Sequence, residues 1–155
     1  MIRQALSPRL LLCLLALSAV GHAAEVVRVW PGYRSAESFQ TIGEFFGKKE
    51  YTGGRLVLRT QPENRNGYYF LTRIEKADAI PGATARVQLI FAGSPLAKTY
   101  ELPVAIPEGK SVLNLGITGS DWPGAGVKPL AWRVTLLRPD GSELLSEQSF
   151  LWAQP

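Results

Sequence analysis

Residues 132–141 read Trp132-Arg133-Val134-Thr135-Leu136-Leu137-Arg138-Pro139-Asp140-Gly141. Trp132, Val134 and Leu136 alternate with Arg133 and Thr135, the period of two that sends apolar side chains to one face of a strand and polar ones to the other. The run then meets a proline that presets φ, a turn-favouring aspartate and a glycine free to take positive φ. This combination predicts a β-hairpin with a glycine bulge, its return strand running from about Glu143 to Trp152.

Working outward, the same period recurs. Ala85, Val87, Leu89 and Phe91 share one face of a strand whose other face carries Thr84, Arg86 and Gln88. Tyr100, Leu102 and Val104 line another, and Leu113, Leu115 and Ile117 a third. Pro103 cannot donate to a central ladder, which puts its strand at an edge or on a bulge. Towards the N-terminus, Val26 to Trp30 forms a short strand ended by Pro31-Gly32, Arg55 to Thr60 a second and Tyr68 to Glu75 a third. Between the first two, the period changes. Phe39, Ile42, Phe45 and Phe46 recur at helical spacing, with Ser35 as N-cap, Glu37 in the first turn and Gly47 as the stop. That helix needs a partner surface for its apolar face and should dock on the body of the domain.

Seven to eight short strands separated by Gly/Pro turns predict an all-β, antiparallel sandwich or barrel with one short N-terminal helix. Residues 54–152 resemble bacterial secreted immunoglobulin- or fibronectin-III-like domains. The resemblance rests on the strand spacing, on Trp132 in a late strand and on the Pro139-Asp140-Gly141 hairpin leading into Ser149-Phe150-Leu151-Trp152. It implies an antiparallel Ig-like β-sandwich and no particular activity. The Cys–Trp–Cys pattern of antibody domains is absent, and the helix departs from the plain pattern. An outer-membrane barrel fits poorly, because it needs strands of about ten residues with an apolar outer band and no helical interruption.

The N-terminus predicts an address. Arg3 and Arg9 precede an apolar stretch from Leu10 to Val20, and Gly21-His22-Ala23 offers small residues to a signal peptidase. The stretch is too short to span a hydrocarbon core of roughly 30 Å. Cys13 stands mid-stretch between Leu12 and Leu14, which is no lipidation site. Residues 1–23 therefore read as a cleaved signal peptide and residues 24–155 as a single β-sandwich domain, periplasmic or secreted, without a stable membrane span. With Arg3 and Arg9 removed, 15 basic residues face 13 acidic ones with no basic stripe, so nucleic acid is not an expected partner.

Cleavage after Ala23 also leaves no histidine, cysteine or methionine, because these fall only at His22, Cys13 and Met1. The commonest bases, nucleophiles and soft-metal ligands are thus missing. Gly109-Lys110-Ser111 ends like a phosphate loop, but Val104 stands where the first glycine belongs and a strand follows instead of a helix. Asn64-Arg65-Asn66-Gly67 lacks a calcium loop's first ligand, at Pro62, and its twelfth, at Arg73. No Ser-x-x-Lys element supplies a histidine-free hydrolase. Glu44, Glu63, Asp121, Glu143 and Glu147 remain as carboxylates, with no pattern that pairs two of them across a cleft. No enzyme activity and no cofactor or metal is expected.

Binding surfaces are better represented. Asp121 and Trp122 sit in the Gly/Pro-rich loop from about Thr118 to Pro129, where Trp122 either caps the core or stands free to stack on a ligand. Asn64, Arg65 and Tyr69 belong to a polar cluster between two strands expected to be neighbours. Alternation puts Tyr68 and Tyr69 on opposite faces, so at most one is expected in the core. The expected role is an interaction module for another envelope or secreted protein; the alternative is a carbohydrate-binding domain stacking glycan on Trp122 and Tyr69.

Overall fold

The structure, a computed structural model, describes residues 24–47 and 49–153; residues 1–23, expected to be a signal peptide, lie outside them. Among the described residues eight strands are present: β1 (Glu25–Arg34), β2 (Leu56–Arg59), β3 (Gly67–Ala77), β4 (Ile80–Ile90), β5 (Lys98–Ile106), β6 (Gly109–Thr118), β7 (Ala131–Leu137) and β8 (Glu143–Gln148). They form two four-stranded sheets in the orders β1-β3-β6-β2 and β5-β4-β7-β8. Every pair is antiparallel except β2, which runs parallel to β6. Strands that are distant in sequence lie side by side at the centre of each sheet, β3 with β6 and β4 with β7. The chain is an all-β, Ig-like β-sandwich.

The inner faces follow the sequence alternation. Phe70 and Ile74 of β3 and Leu113, Leu115 and Ile117 of β6 meet Ala85, Val87 and Leu89 of β4 and Leu136 of β7, all fully buried. Each large apolar side chain so buried contributes roughly 1.5–3 kcal/mol relative to exposure. The C-terminal hairpin forms as its residues dictate. Gly141 takes φ +83°, its N–H donates to Arg138 O at 2.9 Å, and Asp140 Oδ1 accepts from the Ser142 N–H at 2.9 Å. The pairing shifts register between Leu136 and Leu137, as a bulge requires. Pro103 lies on β5, an edge strand.

Four expectations give way. β1 continues through Pro31-Gly32 to Arg34, because an edge strand can place a proline where no ladder donor is needed. The return strand β8 stops at Gln148, and Phe150–Ala153 forms a 3₁₀ turn. The single helix is replaced by a 3₁₀ turn over Ala36–Phe39 and one turn of α-helix, α1 (Ile42–Phe45), stopped by Gly47 at φ +76°. Ser35 makes no side-chain cap, and Ile42 and Phe46 face solvent at 79% exposure each. The aromatic anchor is Phe39, whose ring sits 4.8 Å from that of Tyr69.

β2 and β3, lastly, are not neighbours, because β6 lies between them. The connection therefore crosses the end of β6 and is fastened to it. The Thr118 Oγ1 hydroxyl donates to Gln61 O and accepts from the Gln61 N–H, while Thr60 Oγ1 accepts from the Thr118 N–H at 3.0 Å.

Candidate functional site

The excursion from Ser35 to Arg55, between β1 and β2, lies against the outer face of the β1-β3-β6-β2 sheet. Register sets out what it covers: Gly32, Tyr69, Gly116 and Arg59 form one row across the sheet, and Trp30, Leu71, Asn114 and Val57 the next. Gly116, beside Tyr69 in that row, leaves space for its ring. At Gly116 a Cβ would come within 2.9 Å of Tyr69 Cζ and 2.8 Å of Cδ1, so the ring lies directly on the β6 backbone. Tyr69 is consequently 1% exposed although it points away from the sandwich core.

A hydrogen-bonded cluster surrounds that ring. The Tyr69 hydroxyl donates to Arg65 O, four residues upstream, at 2.7 Å, and accepts from Arg59 Nε at 2.8 Å. A tyrosine returning to its own upstream backbone is the device of the tyrosine corner in Ig-like domains; here it serves the outer face. Arg59 forks onto Glu50 with Nη2–Oε1 at 2.6 Å and Nη1–Oε2 at 3.1 Å, and its guanidinium lies 5.0 Å from the Phe39 ring centre. Arg65 Nη1 reaches Glu44 Oε2 at 2.7 Å. The hydrogen bond from Arg59 holds the Glu50 carboxyl below the ordinary carboxylate range, against the opposing effect of burial. Burial pushes the Tyr69 phenol up. Two carboxylates and two arginines thus fasten the excursion to the sheet, and bidentate Arg–carboxylate contact gives this fastening its direction.

Beside this cluster the excursion leaves a cleft of about 120 Å³. Its floor is Asn114 of β6, its walls include Arg34 at the end of β1 and Phe39, and the Tyr51–Arg55 turn closes it. That turn owes its shape to Gly53 and Gly54, at φ +63° and +76°, with the Arg55 N–H donating to Thr52 O. Both central residues therefore take positive φ, as a type I′ turn requires. Asn114 is 2% exposed, and its Oδ1 has no hydrogen-bond partner among the described residues. Neither the Arg34 nor the Arg55 guanidinium has a carboxylate partner among the described residues. Sequence reading missed this cleft. The signals were the Gly53-Gly54 pair and an asparagine in an otherwise apolar strand, Leu113-Asn114-Leu115.

A second surface runs along the open edge of β1. Trp30, Pro31, Gly32, Tyr33, Arg34 and Ser35 line a shallow groove there of about 560 Å³. Trp30 is 41% exposed, and the Arg28 guanidinium lies 5.4 Å from its ring centre.

The residues singled out from the sequence divide differently. Trp122 is 5% exposed and caps the core: its ring stacks on Tyr68 at 4.5 Å, and Nε1–H donates to Gly124 O at 2.8 Å. Neither Trp122 nor Tyr69 is a free stacking platform. Both Tyr68 and Tyr69 are buried, one on each face, because the excursion covers the outer one. The Asp121 carbonyl accepts from the Tyr100 hydroxyl at 3.1 Å. Asn64 Nδ2 donates to Gln61 Oε1, and Arg65 is held by Glu44. Arg65 and Tyr69 meet at the cluster; Asn64 belongs to the crossing at the end of β6, and Asp121 and Trp122 sit apart. Among the described residues no group of three or more His, Cys, Asp or Glu is arranged to hold a metal ion.

No family model and no curated protein matches the chain. Among solved structures, it is similar to the crystal structure of an immunoglobulin-like protein from Pseudomonas aeruginosa, at 14% identity over 83% of this chain and 96% of that one, with a TM-score of 0.36. The sandwich described above rests on its own strand pairing.

Proposed function

We propose that this protein is an exported, non-enzymatic β-sandwich module that binds an extended segment of another envelope or secreted protein along the open edge of β1. The observation that supports the reading is the edge itself. β1 is ten residues long, pairs among the described residues with β3 alone, and presents an exposed tryptophan beside a groove. A free edge offers a row of backbone donors and acceptors to an incoming strand, and side-chain pockets beside it supply selectivity. Tryptophan is the residue type most enriched where such contacts carry binding energy. Pro31 removes one donor from the row, which protects the edge from indiscriminate pairing. The glycan alternative relied on Trp122 and Tyr69, and both are buried.

The test is site-specific photocrosslinking in envelope extract, with the crosslinker replacing Trp30 and, as control, Lys98 on the opposite sheet's edge. The expected result is one protein crosslinked from position 30, through a peptide of extended sequence, and nothing equivalent from position 98. Equal crosslinking from both positions, or polysaccharide in place of protein, overturns the proposal.

A further inference from the structure

We infer that the cleft beneath the Ser35–Arg55 excursion is a binding site for a small α-hydroxy or α-amino carboxylate, next to the β1 groove with which it shares Arg34 and Ser38. The argument begins at Asn114. A buried amide oxygen without a partner forgoes a hydrogen bond that folded proteins nearly always make. Asn114 sits in the middle of a paired strand, between Leu71 and Val57 in the sheet row, where an apolar side chain would pack without that loss. Its unpartnered oxygen lies in the residue that forms the cleft floor.

The walls define the rest of the ligand. Arg34 and Arg55 both line the cleft, and neither guanidinium is paired with a carboxylate among the described residues. Glu50, the acidic wall residue, is already occupied by both terminal nitrogens of Arg59. The free charge facing the cleft is therefore positive. Guanidinium forks select planar carboxylates through paired N–H donors. Asn114 Oδ1, an acceptor, asks in addition for an O–H or N–H on the same ligand. A carboxylate with a hydroxyl or amino group on the adjacent carbon supplies both.

Size sets the limit. An apolar cavity of about 150 Å³ holds benzene, with six heavy atoms. At about 120 Å³ this cleft suits a ligand on that scale, the size of lactate or alanine. The Thr52-Gly53-Gly54-Arg55 turn, closed by the Arg55 N–H to Thr52 O hydrogen bond, brings the Arg55 backbone to the cleft rim.

The probes are L-lactate and L-alanine, titrated into isotope-labelled protein while the side-chain amide of Asn114 and the guanidinium of Arg55 are followed by NMR. Propionate, without the donor, and L-alaninamide, without the carboxylate, are the controls. Saturable shifts at both residues are expected with at least one acid, at a dissociation constant on the order of 1 mM. The matching control should bind about tenfold more weakly. Arg55→Gln, at an exposed position, should weaken the acid by a similar factor while leaving the fold intact. Asn114→Ala should erase the preference for lactate over propionate; Arg55→Gln should preserve it. Absence of saturable shifts with both acids would mean that water satisfies Asn114, and overturns the inference. Affinity for propionate equal to that of the acid that binds would also overturn it.

Discussion

Gly116→Ala isolates the contact that builds the outer face. The position is extended, outside the left-handed region that favours glycine, so alanine is acceptable to the backbone and only the added methyl matters. That methyl would lie 2.8–2.9 Å from Tyr69 Cδ1 and Cζ, closer than carbon atoms pack. The ring cannot slide aside freely, since Phe39 covers it at 4.8 Å and its hydroxyl is held at 2.7 Å by Arg65 O and 2.8 Å by Arg59 Nε. Overpacking of this kind costs about 1–3 kcal/mol. Straining the two hydrogen bonds, one of them charged, adds about 1–2 kcal/mol. Gly116→Ala should therefore destabilise by about 2–5 kcal/mol, or lower Tm by about 7–18 °C in a domain of this size.

The assay is a double-mutant cycle by urea or thermal denaturation, with Tyr69→Ala as the second change. Tyr69→Ala alone should cost about 3–5 kcal/mol through the lost ring. In that background the alanine methyl at 116 meets empty space, and its cost should fall below about 0.5 kcal/mol. A Gly116→Ala cost that is the same with and without the Tyr69 ring would refute the reasoning. The glycine would then matter for its backbone alone, and the account of how the excursion is seated would fail with it.

Two further tests concern the same structure. Trp122→Ala should cost about 3–5 kcal/mol, whereas Trp122→Phe, which keeps an aromatic on Tyr68 and loses only the bond to Gly124 O, should cost about 1 kcal/mol; similar, small effects of both would mean the loop does not cap the core. For Glu50, whose folded pKa is lowered chiefly by the Arg59 hydrogen bond, the folded state binds fewer protons than the unfolded chain. Its contribution is present above the unfolded value of about 4.3 and is lost as pH falls through the folded pKa. Glu50→Gln should be less stable than the parent at pH 7 and show a shallower loss of stability below about pH 4.3; parallel acid limbs in chemical denaturation would contradict this.

Much of the architecture was legible because it depends on local chemistry. Strand alternation placed Val87, Leu89, Leu115 and Leu136 in the core, and Pro139-Asp140-Gly141 gave the hairpin with its bulge. Pro103 marked an edge. What escaped depended on contacts between segments far apart in sequence. Phe39 was readable as apolar, but its partner is the outer face of Tyr69, thirty residues on, so helical spacing overstated the length of the helix. The parallel pairing of β2 with β6 has no local signature, and without it Arg59 to Tyr69 looks like a hairpin loop. Trp122 illustrates the same difficulty: a tryptophan among glycines is exposed unless its loop folds back, and only Tyr68 and the Gly124 carbonyl show that it does.

The covered outer face also bears on where Trp30 is exposed. In a two-sheet sandwich the outer faces are solvated, and an aromatic there is open to a ligand. Here Phe39, Arg59 and Glu50 close over Tyr69, which removes the centre of that face from use. The rest is divided in two: an edge at β1, where Trp30 remains exposed because the excursion departs at Ser35, and a polar cleft over Asn114, where it returns through the Gly53-Gly54 turn. Arg34 and Ser38 line both. A strand added along β1 would therefore lie against a wall that the cleft shares. Occupancy of one site should alter the affinity of the other, in whichever direction Arg34 moves, and by the same factor in both directions. Measuring the lactate affinity of the protein with and without its crosslinked β1 partner would detect that coupling; identical affinities would show the two surfaces to be independent despite the shared arginine.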